Sequence, residues 1–385
     1  MANKMAAIIN ANVVLENGII WDGVIIIADG KIVKAEEKTK IEIPADAEII
    51  DAEGAYVGPG FVDIHVHGGI GENLFVDPET VAEHFLKHGE TTILATPIST
   101  FPFDVMMQGV ENIRRALTTT KNVKGVYMEG PYMNPEYGAG RGRLTWSLEI
   151  NKENYEPLAD ALGDMVKVWS IAPERPGIMP FIQYVRRVNP NVVLSVGHSE
   201  ATPEQVRALG PEYRPTLMTH IMNATGRTTG GGGVRGYGPD EYCLADNEMY
   251  AEMISDSLGV HVHSDLQRMI VKCKGIERVV LITDSTCAKG TPPPQYAHTP
   301  DINFTPEGAI SGSKLTMDLA CRNIMKHTNC GIAQAFLMAS LNPARAVGMD
   351  KEIGSIEPGK NADLVFVDDK FNVKEVMVGG EICKF

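Results

Sequence analysis

The chain has 385 residues, with 35 Lys and Arg against 49 Asp and Glu, a net charge of −14 and a hydrophobic share of 44%. That length exceeds one ordinary core and predicts either two domains or one large barrel with an attachment, in a protein of ordinary globular composition. The acidic balance argues against a nucleic-acid partner, which needs clustered Lys and Arg, but not against a small anionic substrate held by one local arginine.

Met-Ala-Asn-Lys-Met-Ala-Ala at the amino terminus lacks the apolar stretch of a signal peptide, and no run approaches a membrane span. No membrane partner is therefore expected, and a cytoplasmic location is. Cys243, Cys273, Cys287, Cys321, Cys330 and Cys383 are scattered without a Cys-x-x-Cys pair, which reads as free thiols in a reducing compartment. Residues 6–57 read as short strands separated by Asn-Gly and Asp-Gly turns. A matching pattern returns only after residue 361, in Ala362-Asp-Leu-Val-Phe-Val and Val373-Lys-Glu-Val-Met-Val. The two ends together predict one small sheet domain.

The middle, about 58–350, repeats a different unit. Apolar runs fall at 60–66, 91–98, 123–128, 166–172, 191–197, 215–221, 250–255 and 277–283, separated in part by amphipathic stretches such as 105–117. Eight such runs have the rhythm of a (β/α)₈ barrel, whose chemistry gathers at the carboxyl ends of the strands. The first run ends in Asp63-Ile-His65-Val-His67-Gly, and alternate side chains on a strand reach one common point. The third ends at Glu129, the fifth leads to His198, the sixth to His220, Asn223 and Ala224, the seventh to His261 and His263, and the eighth to Asp284. Each has a plain reading as a cap or a turn residue. Those readings leave the common placement on one barrel face unexplained.

Glu, His and His from three strands fit the ligand set of Zn²⁺ or a similar divalent ion, with a position left for water. Such an ion lowers the pKa of its water from about 15.7 to roughly 7, and an adjacent aspartate can carry the proton. Asp284 is the candidate for that role, and metal-assisted hydrolysis of an amide is the reaction class. Asn223-Ala-Thr-Gly-Arg227, with glycines at 230–233, reads as a loop over the site whose arginine suits an anionic group such as phosphate.

Glu129-Gly-Pro, Gly197-His-Ser-Glu-Ala-Thr, Thr219-His-Ile-Met-Asn-Ala, Thr283-Asp-Ser, Gly312-Ser-Lys-Leu-Thr-Met-Asp and Ala339-Ser-Leu-Asn-Pro-Ala-Arg resemble the N-acetylglucosamine-6-phosphate deacetylases of the amidohydrolase superfamily over almost the whole chain. The resemblance implies an α/β fold, with a (β/α)₈ barrel over 58–350 and a small β-sandwich from 1–57 and 351–385. It implies release of acetate from N-acetylglucosamine 6-phosphate, the galactosamine epimer or an N-acyl amino acid being the alternatives. Glu129, His198 and His220 match the main metal ligands, His65 and His67 a second-metal pair that only some members keep, and Asp284 the catalytic acid/base. The ion is expected to be Zn, with Fe, Mn or Co as alternatives, in one or two copies per subunit.

Asn223, Ala224, Arg227, His261, Ile310, Ser311 and Gly312 match the substrate-binding positions of the resemblance. It further implies a homodimer in which one substrate contact crosses the interface. Departures fall on substrate contacts. Arg141 stands where the family has His or Gln, the segment before His261 is longer, and the glycine-rich stretch after Arg227 is enlarged. A dihydroorotase-like site is disfavoured because the fourth run ends Ile171-Ala-Pro-Glu-Arg, with Lys167 near its start. A catalytically dead barrel would be expected to lack one of these ligands, and all are present.

Overall fold

All eight apolar runs of the middle segment are strands in the computed structural model, which describes residues 5–228 and 232–385. They are Phe61–Val66, Glu90–Ala95, Val123–Glu129, Val166–Ile171, Val193–Val196, Leu217–Met218, Tyr250–Ile254 and Val279–Ile282, parallel and adjacent in chain order. The first, second, seventh and eighth are buried at every position, as a parallel sheet covered on both faces requires. Val62, Ile64, Leu94, Tyr127, Val168, Leu217, Val280 and Ile282 pack together in one cluster. Ile93, Ala95, Val126 and Met128, from alternate positions, join a cluster with the surrounding helices.

Those helices follow from residue pattern and caps. Phe103–Thr119 buries Met106, Val110, Ile113 and Ala116 at spacings of three and four, while Arg115 on its outer side pairs with Glu79 at 3.1 Å. Pro78–Lys87 starts with Asp77, whose side chain accepts from the Thr80 amide, and with proline at the first helical position. Among the described residues no helix is long and apolar enough to cross a membrane.

The eighth strand meets the first through a short seam rather than a full ladder. The Asp284 amide donates to the His65 carbonyl at 3.0 Å, and the His67 and Gly68 amides donate to Ser285 at 2.9 and 3.0 Å. Below them Asp63, fully buried, accepts from the Thr283 hydroxyl at 2.5 Å and from the His65 amide at 3.1 Å. Burial pushes the Asp63 carboxyl up to about 7, against the hydrogen bond from Thr283. The seam thus lies beside His65, His67 and Asp284.

Strands from both ends form a separate eight-stranded sheet. Met5–Leu15 pairs antiparallel with Gly18–Ala28, and its two halves pair parallel with Glu48–Asp51 and Tyr56–Pro59. Tyr56–Pro59 pairs in turn with Leu364–Val367, tying the carboxyl-terminal strands Val373–Val378 and Glu381–Ile382 to the amino-terminal ones. Ile25 and Ile27 enter one apolar cluster and Val24 and Ile26 another, the period-two alternation of a sheet covered on both faces. The six cysteines are free.

Thr283→Val keeps the shape of the side chain but leaves a buried Asp63 oxygen without its donor, at a cost of about 1–3 kcal/mol. Urea unfolding of the full chain should show that loss. A midpoint unchanged from the parent would remove the seam from the account of barrel closure.

Candidate functional site

Six predicted side chains meet at the carboxyl end of the barrel. Glu129 ends the third strand, His65 and His67 lie at the end of the first, and His198, His220 and Asp284 each follow a strand by two residues. Glu129 is central. Its Oε1 lies 2.8 Å from His198 Nε2, 2.9 Å from His220 Nε2 and 3.6 Å from His65 Nε2, while Oε2 lies 3.2 Å from His67 Nε2. Asp284 Oδ1 sits 3.3 Å from His67 Nε2 and 3.8 Å from His65 Nε2. Two buried triads result, Glu129–His198–His220 and His65–His67–Asp284, each with ligand atoms within 4.8 Å of one another.

Three of the four histidines are held as metal ligands are held, while His198 Nδ1 is buried without a partner. His67 Nδ1 donates to the Pro97 carbonyl at 3.2 Å, His220 Nδ1 to the Asn223 carbonyl at 3.1 Å, and His65 Nδ1 to Glu252 at 3.2 Å. A proton on each Nδ1 leaves the Nε2 lone pair facing inward, the arrangement that imidazole ligands use. His198 and His220 bring their Nε2 atoms within 3.1 Å. Two nitrogens bound to one tetrahedral ion at about 2.0–2.1 Å would stand roughly 3.3 Å apart, close to this spacing. His65 Nε2 is buried and without a hydrogen-bond partner. The residues fit a divalent ion.

Charge distribution agrees. Burial opposes ionisation of Glu129, but the charge and hydrogen bonds of His198, with those of His220 and His65, hold its carboxyl well below the usual range. Burial likewise opposes charging of His67, and bonds to Asp284 and Glu129 outweigh it, raising this imidazole to about 9. Asp284 is lowered as well, its burial outweighed by the His67 hydrogen bond and the charge on His65. A positive charge is what this site asks for. The backbone bears the cost of the arrangement: His198, His220 and Asp284 adopt φ of +43°, +27° and +46°, unusual for residues with a side chain.

Above the triads opens a cavity of about 460 Å³. Glu129, His67, His198, His220 and Asp284 form part of its lining, and His65 lies deeper, fully buried. Asn223, Ala224, His261, Ile310, Ser311 and Gly312 line it. His261 donates from Nδ1 to the buried Asp256 at 3.1 Å, leaving a buried Nε2 without a partner.

Two arginines depart from expectation. Arg141 is exposed, pairs with Glu136 at 3.1 Å and lies outside the cavity lining, whereas Arg143 lines it. Arg143 is itself exposed and its guanidinium donates to the Ala139 carbonyl, so it stands at the cavity mouth, a placement in the turn that residue counting cannot foresee. Arg227 is exposed and likewise absent from the lining of its own chain's cavity. The glycine run at 230–233 falls partly outside the described residues, at 229–231. His263, grouped by sequence with the strand-end histidines, caps Ser264–Lys274 instead, its side chain accepting from the Asp265 amide.

Sequence reading missed Asp63 and Glu252, each a buried carboxylate within a largely apolar strand run. That combination was the available signal, because acidic side chains are almost never fully buried without partners.

The profile of the Amidohydrolase family matches residues 56–383, and the chain belongs to that family. It is 31% identical to an N-acetylgalactosamine-6-phosphate deacetylase of Escherichia coli O157:H7, covering 96% of this chain and 97% of that one. It is 30% identical to an N-acetylglucosamine-6-phosphate deacetylase of Haemophilus influenzae, covering 97% and 98%. The crystal structure of the N-acetylglucosamine-6-phosphate deacetylase from Pasteurella multocida superposes with a TM-score of 0.83 at 25% identity, over 98% of this chain and 99% of that one.

Gly138 adopts φ +83°, and a Cβ there would come within 2.2 Å of the His198 ring. Gly138→Ala should therefore displace that imidazole and weaken metal binding by about tenfold or more with the fold intact, as metal titration and circular dichroism would report. Parent-like affinity in this variant would show that the contact does not position His198.

Proposed function

We propose that the protein hydrolyses the acetamide of N-acetylglucosamine 6-phosphate to acetate and glucosamine 6-phosphate. The observation that carries this reading is the set Glu129, His198, His220 and Asp284 at a cavity whose wall holds Asn223, Ala224 and His261. The whole-length relative named for the galactosamine epimer, at 31% identity, supports N-acetylgalactosamine 6-phosphate as the alternative substrate.

Glu129, His198 and His220 would hold the first ion, and His65 and His67, beside Asp284, a second. One carboxylate with two imidazoles suits Zn²⁺, with Fe, Mn or Co as the other candidates. A divalent ion in that setting polarises the acetamide carbonyl and brings the pKa of water from about 15.7 towards 7. Asp284, held by His67, takes the proton of the attacking water as the new C–O bond forms. It then delivers that proton to the amide nitrogen as the C–N bond breaks. Asn223, Ala224 and His261 hold the sugar phosphate, and Ile310, Ser311 and Gly312 line the same cavity.

The substrate-facing guanidinium in this reading is Arg143 rather than Arg141. The reading also takes the protein as a cytoplasmic homodimer in which Arg227, exposed and outside its own cavity, is the contact offered to the partner's site. Residues 58–350 form the catalytic domain, with 1–57 and 351–385 as the small β domain.

Asp284→Asn should retain the ion held by Glu129, His198 and His220 and lose about a thousandfold in turnover, measured as acetate release from both epimeric phosphates. Activity within tenfold of the parent would falsify the assignment of the proton carrier. Arg143→Ala should raise KM for the phosphorylated sugars while Arg141→Ala leaves it unchanged. The opposite pattern would return the role to Arg141.

A further inference from the structure

Glu252 lies in the middle of the seventh barrel strand, Tyr250–Ile254, and is fully buried. A carboxylate in that position is costly unless its oxygens serve specific donors. One oxygen, Oε2, serves two. It lies 3.2 Å from His65 Nδ1 and accepts from the backbone amide of His220, also at 3.2 Å. A carboxylate oxygen has no proton to give, so the proton in this contact sits on His65 Nδ1, while Oε1 is buried without a partner. His65 Nε2 is then a bare lone pair among Glu129 and Asp284, buried and without a hydrogen-bond partner. The opposite face of the imidazole is fixed by Tyr127, stacked at a ring-centroid distance of 4.4 Å.

We propose that Glu252 is a positioning residue that fixes the tautomer and orientation of His65 and thereby creates the second cation position, His65–His67–Asp284. It reaches the first position only through the backbone of His220, so the two positions depend on it unequally. The inference rests on the two-position reading of the site given above. His67 needs no such carboxylate because the Pro97 carbonyl fixes its Nδ1. Removing the acceptor from His65 frees that ring to place its proton on either nitrogen, and one of the three ligands of the second position is no longer fixed. Carboxylates that orient ligating imidazoles are worth about tenfold to a hundredfold in metal affinity.

Titration of the metal-stripped full chain with Co²⁺, followed by its visible absorption, tests this. The parent should take up two equivalents. Glu252→Leu should bind the second about a hundredfold more weakly and Glu252→Gln, which keeps an acceptor oxygen, about tenfold more weakly, with the first equivalent little changed. If Glu252→Leu fails to fold, the isosteric Glu252→Gln carries the test, alongside the ¹⁵N signals of His65, which should lose the single Nδ1–H form. Two parent-like equivalents in both variants, or parallel weakening of both equivalents, would overturn the assignment. So would a parent that binds one equivalent. Acetate release by the metal-loaded parent is measured separately, so failure of the deacetylase reading is distinguishable from failure of this one.

Discussion

A carboxylate buried beneath the barrel rim must be surrounded by positive charge, and Glu129 is the group on which this site turns. Four histidine Nε2 atoms lie within 3.6 Å of its two oxygens. Transfer of an isolated carboxylate into such an interior costs far more than a domain's net stability, so it is tolerated only with a cation held between these nitrogens and oxygens or with protons on the imidazoles. Because Glu129 belongs to one triad and touches both histidines of the other, the two cation positions share one electrostatic centre. An ion at either position changes the field at both.

Five strand ends and the turns beyond them have to agree for that centre to exist. The seam between the first and eighth strands supplies part of the agreement, since Asp63, Thr283, Ser285 and the His65 carbonyl bond across it directly below the ligands. The positive φ values at His198, His220 and Asp284 supply the rest by turning each chain back over the rim. Stability and function are drawn from the same few residues here. The hydroxyl cluster of Tyr127, Ser170 and Ser195 around Thr219, at 2.7–2.9 Å, stiffens the floor from which His220 projects.

Most of the scaffold could be read from the sequence because a parallel strand buried on both faces is a continuous apolar run. All eight runs were visible for that reason. The sixth was overestimated: residues 215–221 read as a strand, yet only Leu217–Met218 pairs, because the chain turns at Thr219 and His220. Ligands at strand ends were legible from placement, and their joint occurrence carried more weight than any member. Loop residues were not. Arg141 and Arg143 differ by two positions in a turn with no periodicity, and only the path of the backbone decides which one faces the cavity. Glu252 and Asp63 escaped because a single acidic residue in an apolar run was read as part of the strand rather than as the anomaly it is.

The pairing of Tyr56–Pro59 with Leu364–Val367 joins the entrance of the barrel to the far end of the chain. During synthesis one edge of Tyr56–Pro59 lacks this strand partner until nearly the whole barrel has been made. An open strand edge of this kind recruits other chains. A polypeptide stopped short of residue 364 would carry every ligand of the site and still present an unfinished sheet. Loss of the last two dozen residues should therefore be felt as aggregation of nascent protein well before it is felt as a defect in chemistry.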